Sequence, residues 1–241
     1  MLNSIFIRTI TALILLFCLS SSCFGSAAKD TALVNTLIRR YKYIHKKPEA
    51  KATFDSIRQP SFKQNYLEGI YFYYHRKTMS YASKRNLDSS QSYIDSLNIF
   101  AKASNNKFYQ ALAFRENGRI FTLKHDNAIT AYLSALKLFD LNKPSTEIAA
   151  TYQYIGIEYY TIADISNNKE YVKKSLEYFI LNLEVAQKIN SDELTARALN
   201  NMGTLSFHIL NDYYKALEYF EKSIVIKKKL TVKILLQRTI T

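Results

Sequence analysis

The sequence predicts an all-α protein built from consecutive antiparallel helix pairs, and two observations carry that prediction. The first is a shortage of chain-reversing residues. Five Gly and three Pro in 241 residues are too few turn-formers for a sandwich, a barrel or a doubly wound sheet. The second is internal repetition. Beyond residue 28 the only glycines are Gly69, Gly118, Gly156 and Gly203, each inside a helix-like segment. Each is followed by a second segment with small, aromatic and small residues at i, i+4 and i+7. At 48% apolar and 22% charged the chain has an ordinary globular composition, neither disordered nor fibrous.

Residues 1–28 read as a leader. Met1 to Arg8 carries one positive charge, Ile10 to Leu19 is a short apolar run, and Ser20 to Ala28 is mostly small, the layout of a secretory signal with cleavage after Gly25 or Ala28. The apolar run is short for a spanning helix, so a retained anchor is the lesser alternative. A third alternative is lipid attachment at Cys23, because Leu19-Ser20-Ser21-Ser22-Cys23 resembles a bacterial lipoprotein box with Leu one place too far from Cys. Both cysteines, Cys18 and Cys23, fall inside this leader. The remainder therefore has no disulfide, thiolate nucleophile or Cys metal ligand.

Residues 29–58 read as an N-terminal helical pair. Leu33, Val34, Leu37, Ile38 and Tyr41 form the stripe of a helix over 31–44, and Ala50 to Ile57 gives a shorter helix after Pro48, with Pro60 as its stop. Four pairs follow over 59–229. Their second helices carry Ser89, Tyr93 and Ser96; Ala128, Tyr132 and Ala135; Ser175, Phe179 and Asn182; and Ala216, Phe220 and Ser223. These offsets place each trio on one helix face. A helical Gly costs about 1 kcal/mol against Ala, so four of them ask for a packing reason: the partner helix crosses closely there, and the ring fills the space between the small residues. Pro144 with Ser145 marks the start of the helix containing Gly156, and Asn190 with Glu193 reads as a capping box before the helix containing Gly203. Residues 230–241 carry Val232, Ile234, Leu235, Leu236 and Ile240 but no acidic residue. They read either as the unfinished end of a longer product or as a short capping tail.

ALNNMG at 198–203 with ALEYFEKS at 216–223, and AFRENG at 113–118 with AITAYLSA at 128–135, resemble tetratricopeptide repeats; the segments around Gly69 and Gly156 are weaker copies. The resemblance implies a right-handed superhelical solenoid whose first helices line a concave groove. The family's groove positions fall here on Tyr66, Tyr73 and Tyr74; on Arg115, Arg119 and Thr122; on Gln153 and Tyr160; and on Arg197, Asn200, Thr204, Phe207 and His208. Asn201 stands beside Asn200 and takes its place if the register slips by one. The chain departs from the family's even period, because the distances from Gly to the following small residue are 20, 10, 19 and 13.

Tyr and Arg are the residue types that carry interface energy, so this set is expected to bind a peptide or protein. Arg115 and Arg119 lie one turn apart and are expected to hold an acidic side chain or a terminal carboxylate. Catalysis, a cofactor and a metal are not expected. His45, His75, His125 and His208 are far apart in sequence, there is no phosphate loop or nucleophile elbow, and Glu116 and Glu158 read as solvated or ion-paired helical carboxylates. The net charge of +13 is dispersed over Arg76-Lys77 with Lys84-Arg85, Lys173-Lys174 and Lys227 to Lys229, so no nucleic acid partner is expected. The expectation is an exported scaffold of the periplasm or cell envelope, with membrane association, if any, through its N-terminus. The alternative is the extracytoplasmic sensory part of a larger regulator whose histidine kinase or helix-turn-helix output lies elsewhere.

Overall fold

A computed structural model describes residues 31–121 and 125–239. Every regular element among them is helical: α1 over 31–44, α2 (Ala50–Lys63), α3 (Leu67–Ser83), α4 (Leu87–Ala103), α5 (Lys107–Ile120), α6 (His125–Leu138), α7 (Thr146–Ser166), α8 (Lys169–Lys188), α9 (Asp192–His208) and α10 (Tyr213–Thr239). The leader with Cys23, and the expected groove residue Thr122, lie outside the described residues.

The scarcity of Gly and Pro is reconciled with so many helix ends by asparagine. Asn65, Asn105, Asn167, Asn190 and Asn211 all adopt the left-handed conformation, with φ between 47° and 53°, and Arg85 joins them at 57°. Asn tolerates this region because its short polar side chain can bond locally. The following helix often starts within a residue or two on a side-chain cap. Asn106 accepts from Phe108 N, Ser145 from Ile148 N, Asn168 from Glu170 N and Ser191 from Leu194 N. The expected box at Asn190 is thus displaced by one residue: Ser191 caps α9, and Glu193 pairs with Arg197 instead.

The chain divides after Ser89 into two compact units. In the first, Val34, Ile38, Ile57 and Ile70 are buried beside the rings of Phe54, Phe72 and Tyr73. Here α2 runs through Pro60 rather than stopping before it. Pro60 removes one N–H near the helix end, while its own carbonyl still accepts from Gln64 N and Ser61 Oγ donates to Ile57 O at 2.6 Å. Ser61 and Val34, not a ring, are what a Cβ at Gly69 would meet first.

The second unit is an all-α solenoid in which α5 to α10 each pack on the next helix, and α7 also touches α5 and α9. The expected crossings are present. A Cβ on Gly118 would lie 2.5 Å from the Tyr132 ring, and one on Gly156 would lie 2.6 Å from Phe179. The flanking small positions add polar ties: Ser175 Oγ donates to Gly156 O at 2.9 Å, Asn182 Nδ2 to Ala149 O at 2.7 Å and Ser223 Oγ to Ala196 O at 2.7 Å. Asn182, which departs from the small-residue pattern, therefore makes the same tie as Ser223, each to a carbonyl seven residues before the Gly of its pair. Residues 230–239 do not form a separate tail. With no Gly, Pro or Asn after Asn211, α10 continues to Thr239, leaving Val232, Ile234, Leu235 and Leu236 about half exposed. Among the described residues no helix is long and apolar enough to cross a membrane.

Candidate functional site

A depression in the second unit lies between α4 and α6 over α5, with a volume of about 620 Å³, within the usual range for ligand sites. From α4 it takes Asn98, Ala101 and Lys102; from α5, Phe114 and Asn117, with Phe121 at its C-cap; from α6, Thr130, Ala131 and Ser134. Asn98 and Asn117 close its floor with a reciprocal amide pair. Asn98 Nδ2 donates to Asn117 Oδ1 at 3.2 Å, and Asn117 Nδ2 donates to Asn98 Oδ1 and to Ala113 O, both at 2.8 Å. Phe114 stands 43% exposed on the wall.

One small residue distinguishes this pair from the next. Tyr132 and Phe179 are equivalent, each packing on the Gly of its own pair, so Ala131 is equivalent to Tyr178. By offset from Gly, Phe114 on α5 corresponds to Tyr152, four before, and Phe121 at the α5 C-cap corresponds to Tyr159, three after. In the α7–α8 pair Tyr178 sits between those two rings, 6.1 Å from Tyr152 and 5.7 Å from Tyr159. In the α5–α6 pair the two flanking rings remain, but Ala131 supplies no ring between them. A groove of about 740 Å³ recurs between α8 and α10 over α9, walled by Leu199, Met202 and Tyr219.

Several of the residues expected to bind a partner are engaged within their own unit. Tyr73 is a core ring, stacked on Phe54 at 5.5 Å and edge-on to Phe62, which leaves it little surface to offer. Tyr66 is half-buried, and its hydroxyl donates to Asn35 Oδ1 at 2.7 Å. Gln153 and Tyr160 are half-buried on α7; burial, and then the Asp164 carboxylate, raise the Tyr160 phenol above its ordinary pKa. On α9, Arg197 is exposed and paired with Glu193, Asn200 is half-buried, and the Thr204 hydroxyl donates to Asn200 O at 3.0 Å. Asn201 turns a buried amide nitrogen inward, without a hydrogen-bond partner among the described residues. His208 is exposed at the end of α9, with its ring 4.9 Å from Phe207.

Arg115 and Arg119 do converge on a carboxylate, but it belongs to their own helix. Glu116 is fully buried, with Oε1 3.5 Å from Arg115 Nη2 and Oε2 3.4 Å from Arg119 Nη1. The Arg119 guanidinium also covers the Tyr154 ring at 5.3 Å, and Tyr154 stacks on Tyr132 at 5.5 Å. Glu158, also buried, accepts from His125 Nδ1 at 2.5 Å. Burial, and then the Glu158 carboxylate, push the Tyr132 phenol far above its ordinary pKa. This is a largely buried network of charged and aromatic groups. Sequence reasoning missed the groove residues Phe114, Asn117 and Ala131. The signal was present in the residue before each packing ring, which is Tyr at 178 and 219 and Ala at 131.

No protein-family model matches the chain, and no curated relative is found for it. Among solved structures it is similar to BtubC (BKLC) from P. vanneervenii, at 15% identity and a TM-score of 0.59, over 85% of this chain and 91% of that one. The likeness shows the fold: an all-helical, repeat-like array.

Proposed function

We propose that the chain is a non-catalytic, tetratricopeptide-like scaffold that holds a peptide or protein partner on its second unit. The observation that carries this is the open groove over α5, a depression with an amide floor, hydroxyls at its edge and an exposed aromatic ring on its wall. Such a mixture suits a peptide, whose backbone needs hydrogen-bond partners and whose side chains need apolar contact. The Gly-to-ring crossings of three successive pairs, at the positions the family uses, support the tetratricopeptide kinship. The leader pattern of residues 1–28 supports action outside the cytoplasm, in the periplasm or cell envelope.

A photo-cross-linking side chain at position 114, in the protein expressed in its native host, tests the reading. A protein adduct from position 114, with none from the exposed Tyr214, is expected. Absence of any adduct at 114 would end the assignment of this groove.

A further inference from the structure

We propose that the groove over α5 receives an aromatic side chain presented by a partner peptide, seated over Ala131 between Phe114 and Phe121. The proposal rests on the scaffold reading and names what the groove selects. Its warrant is the neighbouring pair of the same array, which shows what fills this space when the chain fills it itself. There Tyr178 projects from the second helix and lies between Tyr152 and Tyr159. The α5–α6 pair keeps both flanking rings and the same Gly-to-ring crossing, with Gly118 on Tyr132, but Ala131 ends at Cβ. The space left is bounded by two aromatic walls, and offset or edge-to-face ring packing is the contact such walls favour. The amide pair of Asn98 and Asn117 and the hydroxyls of Thr130 and Ser134 border it, so the polar edge of a phenol and the adjoining peptide backbone meet hydrogen-bonding groups rather than hydrocarbon. At about 620 Å³ the groove exceeds one ring and has room for the residues on either side. A segment of peptide, not a lone ring, matches its size.

Substituting Ala131→Tyr tests the geometry, because it places in this pair the ring that the next pair already carries. The expected result is a melting temperature higher by roughly 2–4 °C. The peptide probe is acetyl-Gly-Ser-Tyr-Ser-Gly-amide carrying 3-fluorotyrosine, read by fluorine NMR. Wild-type protein should broaden its signal, unlabelled peptide should compete, and the same peptide with Ala for Tyr should not. Ala131→Tyr and the exposed-wall variant Phe114→Ala should each weaken binding at least tenfold. A lower melting temperature for Ala131→Tyr, or loss of its fold, overturns the ring-shaped space whatever the peptides do. Undiminished binding to Phe114→Ala overturns the seat, and equal binding of free 3-fluorotyrosine amide overturns the peptide as its source. If Ala131→Tyr is stabilised and yet no peptide binds and no adduct forms at position 114, the scaffold reading itself has failed. If the adduct at 114 persists undiminished in Ala131→Tyr, the scaffold stands and the ring is wrong.

Discussion

Glu116 is the residue on which the charge network of α5 turns. It is fully buried beside two guanidiniums, and a buried pair is most costly when half of it is removed. Glu116→Gln keeps the shape but removes the charge that Arg115 and Arg119 face, and is expected to destabilise the protein by about 3 kcal/mol. Arg119→Ala should cost less, since Arg119 is 24% exposed and water replaces part of what it loses. Urea denaturation of the two variants checks the order, and an equal or smaller loss for Glu116→Gln would refute it. Arg85 is the opposite case, a long side chain in a left-handed turn where the other such turns use Asn. Arg85→Gly relieves that strain and should stabilise by roughly 0.5–1 kcal/mol, seen as a higher urea midpoint with unchanged slope; a lower midpoint would show that Arg85 makes a compensating contact.

At the level of helices, stability depends on how closely the two members of a pair cross. Gly118 and Gly156 face rings that are almost fully buried, Tyr132 and Phe179, and a methyl group there would have to displace a ring that has nowhere to go. The helix-propensity gain of about 1 kcal/mol from Gly to Ala is set against overpacking of about 1–3 kcal/mol, so Gly118→Ala should lower the melting temperature despite the better helix former. A melting temperature that holds or rises would mean the α5–α6 crossing is looser than described. These crossings were legible in the sequence because Gly and the small–ring–small trio are short-range patterns on single helices. The Pro60 stop was misread because local propensity exaggerates what one missing N–H costs near a helix end. The contacts of the expected binding residues were not legible for a different reason. Whether Tyr73 points to solvent, or whether Arg115 spends its charge on a neighbour, depends on helices distant in sequence, and no spacing rule supplies that. The identity of Ala131 is plain in the sequence, but its significance depends on the equivalent Tyr178 lying between two rings, a tertiary fact.

For the molecule as a whole, the many tyrosines set the response to alkali. Burial raises the phenols of Tyr132, Tyr152, Tyr160 and Tyr178 above the ordinary 10.0, with nearby carboxylates adding to it. The folded protein therefore holds these protons at a pH where the unfolded chain has released them. The stability they confer is intact below about pH 10 and falls as pH rises from there, since the native state binds more protons. Tyr132 should dominate, because it is the most deeply buried of the four and lies near Glu158 and Glu116. In that range a single such group lowers stability by up to about 1.4 kcal/mol per pH unit. Exposed lysines titrate nearby, Lys174 and Lys222 being raised by Glu170 and Glu218, so the bare alkaline slope does not identify its source. The difference between wild type and Tyr132→Phe does. Urea midpoints from pH 8 to 11.5 should run parallel up to about pH 10 and diverge above it, with the Phe variant falling less steeply. Curves that stay parallel throughout would mean that Tyr132 ionises as freely in the folded protein as in the unfolded chain, and the buried network around Glu116 and Glu158 would then be wetter than its geometry indicates.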